Sequence, residues 1–449
     1  MNEQLIIDYK NFLNNGKTER ECVQQIITMA KKAGYKDITK YKKLKPGDKV
    51  YITKMDKSIA LFEIGTNPIE EGMNILGAHI DSPRLDAKQN PIYEKDNITY
   101  LNTHYYGGIK KYQWTTIPLA IHGIVCKKDG TTVNVVIGEN QDDPVFCISD
   151  ILPHLAQEQM KDKASDFIKG EDLDVLMGSI PPLKKGTSAE EKKEAKERSK
   201  KTIIALFKEM YGIEEDDFES AELEIVPAGK ARDMGLDRSM ILGYGQDDRS
   251  CAFTSVAAML EVKAEKRTNC CLCVDKEEIG SMGATGMESN LFENMVAEII
   301  ALTENSYSDI TLRRCLANSY MLSSDVNAAY DPLNAGLYDK ENSSALGGGV
   351  AFQKYTGSRG KYGASDANAE FVAKVRSAMY DANINYQMSE LGKVDQGGGG
   401  TIAYHAARYG MNVLDAGVAV LSMHAPWEIT SKEDISQIFD CNKVFLSLK

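Results

Sequence analysis

An alternation of apolar strand-like runs and helical stretches, interrupted once, is the feature that most constrains the fold. Residues 1–92 and 239–449 carry short apolar runs separated by segments of helical periodicity, whereas residues 93–238 contain aromatic and β-branched runs broken by Gly-Gly and Asp-Gly turns. Strands alternating with helices predict an α/β fold with a mixed, mostly parallel sheet sandwiched by helices. The central stretch predicts an antiparallel β unit. We therefore expect one discontinuous domain, 1–92 with 239–449, and a β-rich domain, 93–238, inserted into it.

Single segments carry local predictions. The spacing of apolar residues in "ERECVQQIITMAKKAGY" indicates a helix near the start of the chain. The apolar runs "NCCLCVD" (269–275) and "VAEIIALTEN" (296–305) are typical of buried strands. The charged run "PPLKKGTSAEEKKEAKERSKK" (181–201) indicates a solvated helix face or a flexible lobe rather than a binding tail.

The charge of the chain excludes two classes of partner. Its 449 residues include 53 Lys and Arg against 65 Asp and Glu, which gives a net charge of -12. Nucleic-acid binding needs clustered cations, and an excess of acid gives no attraction to anionic membranes, so neither partner is expected. The first 30 residues do not resemble a signal peptide, and no apolar run approaches the ~18 residues of a membrane span. A cytoplasmic protein is therefore expected.

The nine cysteines are odd in number and irregular in spacing, which indicates reduced thiols. The densest group is Cys270, Cys271 and Cys273. These three could form a metal cluster. They lack C-x-x-C spacing and lie in an apolar run, so we expect buried thiols on a strand.

Polar side chains follow five apolar runs, in the motifs "GAHID", "GQDDR", "DKEEIGS", "SSDVN" and "SMHAPWE". Residues at the carboxyl ends of strands commonly form the sites of α/β folds, so these side chains are expected to converge. For both glutamates of "DKEEIGS" to reach one site, the chain must leave strand geometry, which is easiest at Ile279-Gly280. The candidate set is His79, Asp81, Asp247, Asp248, Glu277, Glu278, Asp325 and His424.

The chemistry of this set suits metal ions. Imidazole and carboxylate together favour zinc, cobalt or manganese. One catalytic zinc needs about three protein ligands, so the set is too large for a single ion. It suits two ions a few Å apart if one carboxylate bridges them, as is common in aminopeptidases. Asp81, two residues after His79, can accept a hydrogen bond from the ring nitrogen that does not bind metal.

Each motif also has an ordinary structural interpretation. His79 and His424 could be core histidines, and Asp325 could be a turn residue. The two aspartates of "GQDDR" could cap a helix, and the glutamate pair could lie in a solvated loop. One metal site explains all five motifs together, whereas the structural interpretation needs five separate coincidences.

Five motifs in a fixed order resemble those of the M18 family of metallopeptidases, the aspartyl-aminopeptidase-like group of the dinuclear zinc aminopeptidases: "GAHIDSPRLD", "QDDR", "DKEEIGSMGATG", "SSDVN" and "VAVLSMHAPWE". The resemblance covers nearly the whole chain, including the position of the β-rich insertion. It implies the dinuclear zinc aminopeptidase fold and an enzyme that removes the N-terminal residue from peptides with a free N-terminus. It also implies two divalent ions, Zn2+ in the first place, with Co2+ or Mn2+ as alternatives.

The resemblance implies a division of ligands between the two ions. His79 and Asp325 would be the terminal ligands of one metal. Glu278 and His424 would be the terminal ligands of the other. Asp247 would bridge both.

The remaining polar residues of the motifs receive supporting and catalytic roles from the same resemblance. Asp248 follows the bridging residue, and Asp81 would support His79 from behind. Glu277 would be the general base, taking a proton from a metal-activated water and passing it to the leaving amine.

The resemblance also bears on substrate choice and assembly. Family members that prefer acidic N-terminal residues use a histidine from a neighbouring subunit, where this chain has Glu158, four residues after His154 in "LPHLAQEQ". A glutamate there would repel an acidic side chain, so strict acidic specificity is not expected. A second basic group of the pocket corresponds to Lys354. The β-rich domain is implied to be a dimerisation and lid domain, with dimers assembling into a dodecamer.

Two other functions compete with this one. A related two-metal amidohydrolase would use a similar site to deacylate N-acyl amino acids. A non-catalytic assembly protein would keep the fold but lose ligands or the base. The sequence retains all seven of the positions His79, Asp81, Asp247, Glu277, Glu278, Asp325 and His424.

Overall fold

The computed structural model describes residues 2–183, 188, 196–304 and 306–449, which form two compact units. The main unit is Met1–Ser82 with Ala231–Lys449, and the inserted unit is Pro83–Lys230. The boundaries predicted from sequence, 92/93 and 238/239, lie later than these. The strand Arg84–Lys95 already pairs within the inserted unit, and the strand Arg232–Met234 already pairs within the main unit.

Helices begin where the sequence supplies caps. Thr18 and Glu21 form a capping box at the second helix, and Asn368 accepts a hydrogen bond from the backbone N–H of Phe371 at the seventh. The α-helices of the described residues are α1 (Glu3–Asn15), α2 (Glu19–Lys32), α3 (Arg198–Tyr211), α4 (Gln246–Glu261), α5 (Leu291–Thr303), α6 (Asp309–Ala317), α7 (Ala369–Asp381), α8 (Ala403–Ala407) and α9 (Lys432–Leu446).

Within the described residues, the strands form sheets of nine, six, five and two strands. The strands are β1 (Lys36–Asp37), β2 (Lys49–Lys54), β3 (Ser58–Glu63), β4 (Met73–His79), β5 (Arg84–Lys95), β6 (Ile98–Tyr106), β7 (Leu119–Cys126), β8 (Thr132–Ile137), β9 (Val175–Ser179), β10 (Ala221–Pro227), β11 (Arg232–Met234), β12 (Met240–Gly243), β13 (Thr268–Val274), β14 (Tyr320–Ser323), β15 (Asn327–Ala328), β16 (Val350–Gln353), β17 (Gly357–Ser358), β18 (Tyr386–Met388), β19 (Gly398–Gly399), β20 (Asn412–Gly417), β21 (Ala419–Leu421) and β22 (Glu428–Ser431).

The nine-stranded sheet is the centre of the main unit. Its order is β1-β2-β3-β13-β4-β14-β20-β16-β18. Its parallel pairs are β1–β2, β13–β4, β4–β14, β14–β20 and β16–β18, and the other pairs are antiparallel. One face packs against α1, α2, α4, α7 and α9, and the other against α5, α6 and α8. The predicted mixed, mostly parallel sheet between helix layers is therefore confirmed.

The inserted unit is built on an antiparallel sheet of order β8-β7-β10-β5-β6-β9. Its helix α3 buries Phe207, whose ring meets that of Phe218 edge-on at 5.2 Å. The charged run that the sequence predicts as a solvated helix face or flexible lobe lies partly outside the described residues, at 184–187 and 189–195. Its last residues, from Arg198 onward, begin α3.

The main unit also contains a smaller sheet, of order β11-β12-β22-β21-β15. The chain leaves its strand β12 to enter α4, and a turn connects its strands β21 and β22. This sheet matters for function because two of the candidate site residues follow its strands. Asp247 lies in the first turn of α4, and His424 lies between β21 and β22.

One predicted strand is wrong. The stretch 296–305 belongs largely to α5, whose buried residues Leu291, Phe292, Met295, Val296 and Ile299 recur at helical spacing. The apolar run that was interpreted as a strand begins inside this helix, so it is too short to show the helical period of the apolar residues.

The prediction for the cysteines is confirmed. Cys270, Cys271 and Cys273 are free and buried on β13.

Across the part of the chain that the structure describes, no helix has the length and apolarity needed to span a membrane.

Candidate active site

Three adjacent parallel strands bring the first candidate residues to one edge of the large sheet. β13, β4 and β14 are neighbours, and His79 is the last residue of β4, opposite Val274 of β13. Asp325 follows β14 by two residues. Because the carboxyl ends of parallel strands share an edge, residues distant in sequence converge here, as the sequence predicts for α/β folds.

Asp247 reaches the same place from the smaller sheet. β12 ends at Gly243, and the chain turns at Gly245, whose φ is 69° and where a Cβ would lie 2.0 Å from Nη1 of Arg249. Glycine is therefore required at this turn. The first turn of α4 is not regular: Asp247 has φ -80° and ψ 108°, and the Asp247–Asp248 peptide bond is cis.

The glutamate pair leaves strand geometry earlier than the sequence predicts. β13 ends at Val274, Lys276 has φ 71°, and Glu277–Ile279 form a single 3-10 turn. The departure therefore occurs at Lys276 rather than at Ile279-Gly280. The backbone N–H groups of Glu277 and Glu278 donate to the two carboxylate oxygens of Asp81, at 3.1 and 3.2 Å. This anchor holds both side chains in the same cluster.

Asp81 has a second task beside His79. Its Oδ1 lies 3.2 Å from Nδ1 of His79, and its backbone carbonyl oxygen lies 3.1 Å from the same nitrogen. Both contacts engage the ring nitrogen that points away from the other candidate ligands, which leaves Nε2 available. The supporting role of Asp81 behind a metal-bound His79 stays a prediction.

Asp247 lies in the middle of the cluster. Its Oδ1 is 3.3 Å from Nε2 of His79, and its Oδ2 is 3.2 Å from Nε2 of His424. Nε2 of His79 also lies 3.9 Å from Oδ1 of Asp325, and Nε2 of His424 lies 3.5 Å from Oε2 of Glu278. One carboxylate thus faces two imidazoles, each with a further carboxylate beside it.

Two groups of donor atoms are close enough to share an ion. Atoms of His79, Asp247 and Glu278 lie within 4.8 Å of one another, and so do atoms of His79, Asp248 and Asp325. The second group includes Asp248, for which no ligand role is predicted from sequence. Its side chain is fully buried, and burial raises its pKa. Adjacency to Asp247 was the only sequence signal for it.

The electrostatics of the cluster fit a cation. Burial would raise the pKa of Asp247, but hydrogen bonds from His424 and His79 lower it. Burial raises the pKa of Glu278 and Asp325, and the charge of Asp247 adds to the effect for both. Oε1 of Glu278 is buried and has no hydrogen-bond donor among the described residues. Imidazoles, crowded carboxylates and a free carboxylate oxygen are a donor set that suits zinc.

Glu277 differs from its neighbour in accessibility. Its side chain is 17% exposed, whereas that of Glu278 is 2% exposed. Burial raises the pKa of Glu277 to about 7; His79 opposes this rise, and the charges of Asp81 and Asp247 favour it. A carboxyl with a pKa near neutrality can take up and release a proton at physiological pH.

The sequence reasoning missed Glu428. This residue is buried, and its two carboxylate oxygens accept the backbone N–H groups of Asp247 and His424 at 3.0 and 2.7 Å. Burial and then the charge of Asp247 raise its pKa, and the two backbone N–H donors oppose this rise because they favour the carboxylate. The motif "MHAPWE" contains Glu428, but only the fold shows what it contacts.

The predicted substrate-binding residues lie in exposed positions. Lys354 follows β16 in the main unit. His154 and Glu158 lie in the inserted unit, where Glu158 pairs with Lys161 at 2.6 Å. Their roles stay predictions.

A mixed α/β sheet with imidazoles and carboxylates converging at its carboxyl edge defines a metal-dependent hydrolase. Comparison with known proteins narrows the class. Residues 12–446 match the model of the family described as aminopeptidase I zinc metalloprotease (M18). The chain belongs to the M18 family of aminopeptidases, enzymes that hydrolyse peptide bonds, as the sequence motifs predict.

Individual relatives agree with this assignment. A probable M18 family aminopeptidase 1 from Clostridium acetobutylicum is 57% identical over 443 residues, covering 98% of this chain and 93% of that protein. The crystal structure of an M18-family aminopeptidase from Thermotoga maritima superposes with a TM-score of 0.93 at 41% identity, covering 99% of this chain and 97% of that one. The mApe1 dodecamer of S. cerevisiae, 20% identical, shares the fold with a TM-score of 0.76, covering 99% and 97% of the two chains.

Proposed function

We propose that this aminopeptidase removes single N-terminal residues from peptides at a centre of two divalent ions, with Glu277 as the general base. The convergence of His79, Asp247 and His424 at 3.2 to 3.3 Å, with further carboxylates beside each imidazole, carries the proposal. Five ligands from separate segments exceed the needs of one zinc ion.

The contacts of His79 with Asp325 at 3.9 Å and of His424 with Glu278 at 3.5 Å support one division of the side chains between the two positions. His79 and Asp325 would hold one ion, Glu278 and His424 the other, and Asp247 would lie between them. When bound, such ions lower the pKa of a water molecule and polarise a carbonyl group. Zn2+ is the ion named in the family description, and Co2+ and Mn2+ suit the same donors.

Glu277 would move the proton during hydrolysis. Its carboxyl lies 4.0 Å from Nε2 of His79, and it is more accessible than that of Glu278. Glu277 takes a proton from the attacking water and delivers it to the departing amine. Asp81 keeps Glu277 in place by accepting its backbone N–H.

Substrate preference follows from charge. The cluster is rich in carboxylates, which attract the positive free α-amine of a peptide. Glu158, at the position where acid-preferring members use a histidine, would repel an acidic side chain. We expect kcat/KM for leucyl amides to equal or exceed that for aspartyl amides. A large preference for aspartyl amides would contradict this expectation.

Assembly into dimers and then dodecamers is part of the proposal, with the inserted unit as the dimerisation and lid element. The dodecamer described for S. cerevisiae mApe1, which has the same fold, motivates it. Mass photometry of the native protein should give twelve times the protomer mass. A monomer or an isolated dimer at micromolar concentration would contradict the dodecamer.

The central test is digestion of a peptide library by chelator-treated protein after addition of zinc, cobalt or manganese. We expect activity to return with metal, one residue at a time to be released from the N-terminus, and N-acetylated peptides to resist. Faster hydrolysis of N-acyl substrates would instead indicate the amidohydrolase function. No recovery with any metal would contradict the catalytic proposal.

A further inference from the structure

A single buried carboxylate connects two of the proposed metal ligands through their backbones. Glu428 is 1% exposed. Its Oε2 accepts the N–H of Asp247 at 3.0 Å, and its Oε1 accepts the N–H of His424 at 2.7 Å. Each oxygen accepts one donor. Asp247 is 181 residues from Glu428 in sequence, and His424 is 4 residues from it.

Neither N–H group is held by regular secondary structure. Asp247 has non-helical backbone angles at the start of α4, and His424 has φ 63° in the turn between β21 and β22. Backbone N–H groups in such positions need another acceptor if they are buried. Because the Asp247 carboxylate is only one carbon from its own backbone, a shift of this N–H would move the carboxylate away from both imidazoles.

The position of Glu428 is itself fixed. Glu428 pairs with Gly243 between the neighbouring strands β12 and β22. Its backbone carbonyl oxygen accepts a hydrogen bond from Nε2 of Gln246 at 2.6 Å. The amide oxygen of Gln246 accepts the hydroxyl groups of Tyr9 at 2.9 Å and Thr430 at 2.6 Å. The support therefore continues from the strand into α1, through groups that are all buried.

We propose that Glu428 is a positioning residue that sets the separation of Asp247 and His424, and thereby the metal affinity of the site. The inference rests on the proposed metal-ligand roles of these two residues. Both carboxylate oxygens of Glu428 are engaged by backbone N–H groups of the two ligand-bearing segments. Glu428 acts by holding two ligand-bearing segments at one distance, as outer partners of metal ligands commonly do.

Asp434 offers a matched control. It is also a buried carboxylate whose two oxygens each accept one backbone N–H, from Gly347 and Gly349, both at 2.8 Å. It lies on α9, and neither Gly347 nor Gly349 is a proposed metal ligand or belongs to one of the five site motifs. Glu428→Gln and Asp434→Asn each replace one accepting oxygen by an NH2 group that opposes an N–H donor, so both lose stability for the same reason.

The experiment measures zinc affinity by competition with a chelator, the visible spectrum of the cobalt-loaded protein, and the Tm of the metal-free protein. Glu428→Gln should raise the zinc Kd by about 10- to 100-fold and alter the cobalt spectrum. Asp434→Asn should lower Tm similarly and change neither metal property. Glu428→Asp, which keeps the charge but shortens the reach, should also weaken zinc binding, and it replaces Glu428→Gln if that variant does not fold.

The outcomes separate this inference from the function on which it rests. If the wild-type protein binds no zinc or cobalt, the proposed metal centre fails. If the wild type binds metal and the Glu428 variants match Asp434→Asn in Kd and spectrum, the metal centre stands and the positioning role of Glu428 is overturned.

Discussion

At the scale of single residues, Glu277 and Glu278 show how adjacent side chains of one type acquire different chemistry. Both are fixed by the same acceptor, the Asp81 carboxylate. The 3-10 turn that follows Lys276 then directs them differently: Glu278 is enclosed 3.5 Å from Nε2 of His424, while Glu277 remains partly accessible. An enclosed carboxylate beside an imidazole suits metal binding, and an accessible one suits proton transfer.

This difference predicts opposite behaviour of two isosteric variants. Glu277→Gln should lower kcat by about 10²- to 10⁴-fold, since it removes the base, yet keep the metal content of the wild type. Glu278→Gln should lose metal, because an amide is a weaker ligand. Metal analysis after dialysis and single-substrate kinetics check both results. Each variant serves as the control for the other, and equal metal loss in the two would contradict the division of roles.

At the scale of elements, residues at strand ends and the support of His79 by Asp81 could be predicted from sequence, whereas the supporting contacts of Glu428 could not. His79, Asp247 and Asp325 could be predicted because each follows an apolar run, and the carboxyl ends of strands converge in this class of fold. Glu428 could not, since its role depends on two N–H groups from irregular backbone that no local pattern encodes. The predicted boundary, 92/93, falls inside β5, because this strand begins only two residues after Ser82 and the aromatic and β-branched runs that indicate the β-rich domain start later in the sequence.

A second buried carboxylate links elements without belonging to the cluster. Asp415 of β20 is 2% exposed, and its Oδ1 accepts the hydroxyl groups of Ser323 on β14 at 3.0 Å and Thr401 before α8 at 2.6 Å. Burial raises its pKa to about 7, although both hydroxyl groups lower it. The protonated form is therefore favoured in the folded state.

Asp415 should make stability depend on pH in a definite direction. Its pKa of about 7 in the folded state exceeds the unfolded value of roughly 3.9. Between these two pH values the folded protein therefore holds a proton on Asp415 that the unfolded chain has lost. The contribution is fully present below pH ~4 and is lost as pH rises towards 7, up to ~4 kcal/mol. Asp415→Asn keeps the accepting oxygen and should raise the free energy of unfolding at pH 8 more than at pH 5.

Urea denaturation of both proteins at the two pH values measures this difference. Titrations of other groups are shared by the wild type and the variant and cancel in the comparison. An equal change of stability with pH in the two proteins would show that Asp415 does not carry the effect.

At the scale of the whole molecule, the proposed ligands come from five separate segments of the main unit. His79 ends β4, and the other ligands follow β12, β13, β14 and β21, so a metal centre would connect parts of the chain from His79 to His424. No ligand is proposed in the inserted unit. Metal binding should therefore stabilise one unit of the protein selectively.

Hydrogen exchange of metal-free and zinc-loaded protein tests this selectivity. A ligand bound only by the folded state adds about 4 kcal/mol at a free concentration of 1,000 Kd. We expect slower exchange with zinc in peptides that cover the ends of β4, β13 and β14, the start of α4, and the turn after β21. The strands β5 to β10 should exchange unchanged. Glu278→Gln, treated identically, should show a much smaller zinc effect in the main unit. Uniform protection of both units would mean that zinc acts through assembly of the whole molecule rather than through the cluster, because only a site confined to the main unit can leave the inserted sheet unaffected.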